Sequence, residues 1–209
     1  MILITSNFLL DYRILNISFN LLKLKSIILN VDFSMDLLQH IRNVPDWPKE
    51  GIQFKDITTL CKEPAPFKEA CDRIINHFKN RGINKVVAIE ARGYVFGGVI
   101  AYKLDAGFIL IRKPGKLPYK TISETYELEY GTDSIHMHID AIEKGDKVLV
   151  FDDLLATGGT AKAACNLVEN SGGVVEGVAF VIELTGSLHG KDKLKGYEIL
   201  SLVEIPVEE

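Results

Sequence analysis

The stretch Val148 to Ala161 constrains this chain more than any other. Four apolar residues, Val148, Leu149, Val150 and Phe151, run straight into two adjacent acids, Asp152 and Asp153. A turn of small residues follows, Ala156, Thr157, Gly158, Gly159 and Thr160, and leads into Ala161, Ala164, Cys165 and Val168 at helical spacing. A short unbroken apolar run fits a strand buried on both faces, as strands of a parallel sheet are. Glycines in the turn let backbone N–H groups approach a ligand, and the helix that opens there contributes the partial positive charge of its N-terminus. The stretch therefore predicts a strand that delivers two carboxylates to its exposed end, then an anion-binding turn, then a helix.

Similar units flank it. Phe67, Cys71, Ile74, Ile75 and Phe78 recur at helical spacing from Pro66, and Gly82 acts as a stop, so a helix ends near Arg81. Val86, Val87, Ala88 and Ile89 form a second apolar run, a helix starts near Tyr94, and Phe108 to Ile111 makes the next strand. Gly172 and Gly173 end the helix after the central turn, and Val174 to Leu184 supplies a further strand. Short apolar strands alternating with helices define an α/β fold with a mainly parallel sheet flanked by helices. Ligands of such sheets bind beyond the carboxyl ends of the strands, here after Ile89, Ile111 and Phe151.

Residues 112 to 131 carry Pro114, Gly115, Pro118 and Gly131 among charges and tyrosines, too polar for a core and too long for a simple connection. A mobile functional loop is the expectation. Ile135, Met137 and Ile139 alternate with His136 and His138, which reads as a strand with one apolar face. The two histidines read as solvent-facing, since no carboxylate or cysteine stands beside them at metal-ligand spacing.

A net charge of -4 argues against nonspecific nucleic-acid binding, and 47% hydrophobic with 25% charged residues excludes disordered and membrane-protein classes. Cys61, Cys71 and Cys165 are widely spaced and odd in number, which suits reduced thiols in a cytoplasmic protein rather than disulfides or zinc. Residues 1 to 34 differ from the rest: they contain no Gly, Ala, Pro or Glu, and Asp11 and Arg13 interrupt any signal-peptide or membrane-spanning run. They read as an atypical N-terminal extension outside the native domain, resembling translated upstream sequence, with Met35 as the natural start and 35–209 as the domain.

Each feature of Val148 to Ala161 is ordinary alone: acids end many strands, and glycines make many turns. Together they suit a phosphate monoester, held by loop N–H groups with the Thr157 and Thr160 hydroxyls as further donors, while the acids either accept from sugar hydroxyls or stabilise developing positive charge. A P-loop hydrolase is excluded because no GxxxxGK[ST] run occurs, and a Rossmann site because no GxGxxG follows a strand. The same residues resemble the phosphoribosyl pyrophosphate signature of type I phosphoribosyltransferases, and Asp152 to Thr160 is similar to its adenine branch. Further matches are Phe54 to Ile57, Ala91 to Gly93, Arg112 to Pro118, Glu129 to Gly131 and Glu183 to Thr185.

That resemblance implies a type I phosphoribosyltransferase fold with a small N-terminal hood and a flexible loop. It implies that Ala156, Thr157, Gly158, Gly159 and Thr160 hold the 5-phosphate and that Asp152 and Asp153 contact the ribose hydroxyls. Arg92 would meet pyrophosphate, with Lys113 and Lys116 neutralising it and Arg112 reaching a neighbouring subunit. Magnesium would arrive with pyrophosphate, aided by Asp152 and Asp153. Glu129 would handle a proton at the base, with a surface salt bridge as the competing reading. Trp47 to Thr58 would form the hood, Phe54 stacking on adenine, backbone near Gln53 reading its edge, and Lys55 standing where many relatives carry Arg. The implied partners are adenine, phosphoribosyl pyrophosphate and a second copy in a homodimer. Alternatives are transfer to another purine base and a regulator that binds phosphoribosyl pyrophosphate without turnover, the latter lacking a helix-turn-helix pattern here.

Overall fold

The computed structural model describes residues 35–127 and 131–207; the N-terminal extension and Glu129 lie outside the described residues. Near the start, β1 (Arg42–Val44) pairs antiparallel with β2 (Phe54–Asp56), and the single turn α1 (Thr58–Cys61) follows. These elements form the anticipated hood. Asp56, buried at its end, accepts from the Arg42 guanidinium and from the Thr58 amide at 2.9 Å, which ties β1, β2 and α1 together.

The central domain comprises α2 (Pro64–Phe78), β3 (Lys85–Ile89), α3 (Gly93–Leu104), β4 (Gly107–Ile111), the hairpin β5 (Thr121–Glu127) and β6 (Thr132–His138), then β7 (Lys147–Leu155), α4 (Gly159–Asn170), β8 (Val174–Gly186) and β9 (Ile199–Val207). Helix α2 starts on Pro64, whose missing N–H costs nothing at a helix's first position, and buries Cys71, Ile74 and Phe78 along one stripe. It ends at Phe78, slightly before the expected Arg81.

The main sheet has the order β4-β3-β7-β8-β9, with every neighbouring pair parallel. Because β3 and β7 are neighbours while β4 lies outside them, the chain reverses its winding direction between β3 and β7. Crevices at the carboxyl ends of strands at such a switch point are where open α/β sheets bind ligands. Helices cover both faces. Val86 and Ala88 face α3, whose Gly97 comes so near that a Cβ there would lie 2.6 Å from the Ala88 Cβ. Val87, Ile89, Val148 and Val150 join α4 residues Ala161, Ala164, Cys165 and Val168 in one core cluster. Phe96 and Phe151 are fully buried with ring centroids 5.8 Å apart, each contributing about 1.5–3 kcal/mol through removal from water.

Several features differ from the sequence reading. The polar segment expected as a loop over 112–131 contains β5, which pairs with β6 throughout Thr121 to Glu127. Its two-residue period is concealed by polar neighbours: Ile122 and Tyr126 pack on the core around α4, and Glu124 accepts from Asn166 Nδ2 at 2.8 Å. Beyond β8 the sheet gains β9, a strand absent from the sequence reading. On β6, Ile135 and Met137 are buried as expected, but Ile139 lies past the strand's end and is exposed, and His136 and His138 are half-buried rather than solvent-facing, with the His138 Nε2 shielded from solvent.

Candidate active site

Strand β7 continues past Phe151 to Leu155, so Asp152 and Asp153 lie within it rather than after it. Pairing with β3 ends at Phe151, while pairing with β8 continues to Leu155 opposite Glu183. The acidic pair is thus held on one side by β8 and faces the open switch point on the other. Asp153 is buried, and its Oδ2 accepts from Arg92 Nε at 2.5 Å. Asp152 is half-buried and gives an oxygen to the Asp153 amide at 2.9 Å. Burial first, and then the Asp153 charge beside it, push the Asp152 carboxyl well above the usual carboxylate range.

Arg92 precedes α3 and connects two parts of the site. Its guanidinium binds Asp153 and stacks over the Phe54 ring, 5.1 Å from the centroid. Phe54 in turn meets Trp47 edge-on, with centroids 4.4 Å apart. Val44, Trp47, Phe54, Asp56, Thr58 and Arg92 line a cavity of about 300 Å³. Flat apolar walls with a cation on one side suit a planar heteroaromatic ring, and the volume falls at the lower end of small-ligand pockets. The side chains of Gln53 and Lys55 both bond Asn43, so neither points its polar end into this cavity as a committed contact.

The turn Ala156 to Thr160 opens α4, whose N-terminus has no side-chain cap and no acid in its first turn. Gly158 has φ +75, and a Cβ there would lie 2.3 Å from the Gly190 carbonyl oxygen; the reverse contact, from Gly190 to the Ala156 carbonyl, is also 2.3 Å. The turn is therefore clamped to the 3-10 segment Gly190–Leu194, which sequence reading did not connect with it. Tyr126 and the Glu127 carbonyl pack on Gly159 from the other side.

The third part follows β4. Glu90 receives the Arg112 Nε at 2.7 Å and the Lys113 amide at 2.5 Å. Burial alone would raise the Glu90 carboxyl, but these two donors hold it below the usual range. Arg112 also donates to the Lys116 carbonyl at 3.0 Å. The Lys113 ammonium binds Asp133 and also the Tyr126 hydroxyl, at 3.2 Å. Lys116 is exposed. Glu90 went unnoticed in the sequence, although a carboxylate immediately after a buried apolar strand was the available signal.

Comparison with known proteins follows the same outline. The phosphoribosyl transferase domain family matches residues 62–200. An adenine phosphoribosyltransferase of Maridesulfovibrio salexigens is 52% identical over 171 residues, covering 82% of this chain and 100% of the relative. The chain belongs to the adenine phosphoribosyltransferase family. A second relative of that name, from Koribacter versatilis, is 54% identical over 167 residues, 80% of this chain and 91% of its own. The solved adenine phosphoribosyltransferase of Thermoanaerobacter pseudethanolicus superposes with a TM-score of 0.78 at 47% identity, covering 81% of this chain and 98% of that one. The Saccharomyces cerevisiae enzyme, solved with an imino-altritol bisphosphate and adenine, gives 0.76 at 34% identity over 82% of this chain and 98% of that one. These family structures share the parallel sheet and its flanking helices. The acidic pair, Arg92 with Phe54, and the glycine turn converge at the sheet's switch point, whereas Lys113 is turned towards the hairpin and Glu129 lies outside the described residues.

Proposed function

We propose that this chain transfers ribose 5-phosphate from phosphoribosyl pyrophosphate to adenine, giving AMP and pyrophosphate. The observation that carries this reading is the placement of Asp152 and Asp153 between an uncapped helix N-terminus and an aromatic cavity walled by Arg92. The turn Ala156 to Thr160 receives the 5-phosphate through backbone N–H groups and the Thr157 and Thr160 hydroxyls. Asp152 and Asp153 accept from the ribose 2- and 3-hydroxyls. Phe54 stacks on adenine, with backbone near Gln53 at its polar edge, and Lys55 contributes only if its ammonium leaves Asn43. Arg92, Lys113, Lys116 and Arg112 neutralise pyrophosphate, which requires Lys113 to exchange Asp133 for the substrate.

Bond breaking at the anomeric carbon leaves an oxocarbenium-like ribose that the base nitrogen captures, so the protein positions and stabilises charge rather than forming a covalent bond. Asp152 and Asp153 stand where carboxylate charge can face the positive charge that develops on ribose. Glu129 is assigned the proton of the base. Magnesium takes one or two carboxylates plus substrate phosphates and keeps several waters. Asp152 and Asp153 fit that need, and no larger cluster of His, Cys, Asp or Glu stands among the described residues. When bound with pyrophosphate, the ion offsets the charge of the leaving group.

The remaining assignments concern setting. Residues 35–209 are proposed as the catalytic unit, working as a homodimer in the cytoplasm. Free Cys61, Cys71 and Cys165 fit a reducing compartment, and no described helix is long and apolar enough to cross a membrane. The decisive test is pyrophosphate release with magnesium and adenine, hypoxanthine, guanine, xanthine or orotate in parallel. Adenine is expected to exceed the other bases in kcat/KM by about a hundredfold or more. Preference for another base would transfer the reading to that base, and substrate binding without turnover of any base would make the chain a regulator.

A further inference from the structure

We infer that Lys193 belongs to the phosphate site, as a side-chain cation that completes the cradle formed by Ala156 to Thr160. The inference rests on the reading of that turn as a phosphate site. Lys193 lies on the 3-10 segment Gly190–Leu194, and its ammonium approaches within 3.9 Å of where a Cβ on Gly159 would stand. Gly159 is the first residue of α4.

Lys193 is exposed, and in the empty protein its ammonium stands beside the positive end of a helix. A helix N-terminus carries roughly half a positive elementary charge, and natural helices put acids and capping side chains there. Helix α4 has neither, and receives a lysine instead. Among the described residues no carboxylate pairs with Lys193. Its neighbours on the same segment are matched otherwise: Lys191 pairs with Glu183 at 2.6 Å and Glu204 at 3.1 Å, and Lys195 with Asp192 at 3.1 Å. Three positive contributions, the helix end, the loop N–H groups and the ammonium, thus converge with no anion among them. An anion seated there would meet all three.

The position is built rather than incidental. Gly158 packed on Gly190, and Gly190 on the Ala156 carbonyl, leave no room for a Cβ at either glycine, so the segment bearing Lys193 cannot separate from the phosphate turn without breaking that packing. Leu194 beside it is fully buried, which anchors the backbone at Lys193. A phosphate dianion at the helix end would be neutralised by an ammonium already in place, with only its flexible stem left to order. Because the contact is with the 5-phosphate, it contributes to recognition of phosphoribosyl pyrophosphate and AMP and not to recognition of the free base.

Calorimetry with AMP and adenosine, together with steady-state KM values, tests this in the full chain. Lys193→Met is expected to weaken AMP binding about tenfold, the worth of one charge-assisted hydrogen bond at a partly exposed place, and to raise KM for phosphoribosyl pyrophosphate similarly. Adenosine affinity and KM for adenine should stay unchanged. Lys193→Arg should restore most of the loss, and Lys195→Met should match the wild type. The salt dependence of AMP binding should become shallower in Lys193→Met, since one cation fewer meets the phosphate. Unchanged AMP affinity in Lys193→Met, with the wild type binding AMP, would overturn the inference while leaving the phosphate turn intact. Equal losses for AMP and adenosine would mark a structural defect and overturn it too. Failure of the wild type to bind AMP at all would remove the phosphate site itself.

Discussion

At the residue scale, the acidic pair illustrates how identical side chains acquire different states. Asp153 has an arginine, while Asp152 has burial and a like charge beside it. The folded Asp152 therefore holds its proton more firmly than the unfolded chain does. Its protonated form stabilises the fold at pH below the ordinary carboxylate range, and that contribution is lost as pH rises through the raised folded value. Asp152→Asn cannot ionise, so its stability advantage over the wild type should be small in acid and grow towards neutral pH, measured by urea midpoints without ligand. The same substitution should lower kcat by about a hundredfold or more, because a neutral amide cannot answer positive charge on ribose. A variant of undiminished activity, or a stability gap independent of pH, would contradict the assigned state.

At the scale of elements, the site depends on how one loop is attached to another. Glu90, at the end of β3, grips Arg112 and the Lys113 amide after β4, and Arg112 and His136 exchange backbone hydrogen bonds of 3.0 and 2.7 Å. The hairpin β5–β6 is thereby joined to the edge of the sheet, and its Tyr126 reaches both Lys113 and Gly159. Glu90→Gln retains the shape but weakens two charge-assisted hydrogen bonds. The expected result is a KM for phosphoribosyl pyrophosphate raised about three- to tenfold with KM for adenine unaltered, since the cavity around Phe54 does not touch this carboxylate. Equal changes in both constants would place the effect in general stability instead.

For the whole molecule, β4 is an edge of the main sheet, and Phe108 and Leu110 on it remain partly exposed beside Ile139. Phe108, Ile109, Leu110, His138, Asp140 and Ala141 line a cavity of about 210 Å³ at this edge. An open edge with apolar side chains is a liability unless covered, and in the proposed homodimer this edge is the face assigned to the second copy. Sedimentation equilibrium at micromolar concentrations should give twice the chain mass, with Leu110→Lys shifting the balance to monomer. A wild type that stays monomeric would remove the dimer from the proposal.

Much of the fold and site could be read without coordinates where the chemistry is local and the period regular. The apolar runs at Val86 and Val148, the helical stripe through Ile74 and Phe78, and the glycine turn with its two acids declare themselves because neighbouring residues carry the whole signal. The strand β5 was hidden because only Ile122, Glu124 and Tyr126 face inward, and a period carried by one apolar residue in two is weak among polar neighbours. Gly190 and Lys193 could not be assigned from sequence, since their meaning lies in what long loops bring beside them, whereas Glu90 carried a local signal as the carboxylate closing an apolar strand. Sequence alone determined that a parallel α/β sheet presents an acidic pair and a glycine turn that opens a helix, because both are properties of a continuous stretch. Tertiary structure decided that Arg92 spans Asp153 and Phe54, that Lys113 rests on Asp133, and that a remote lysine stands at the head of α4, because distances across the sheet's switch point arise only when separate segments pack.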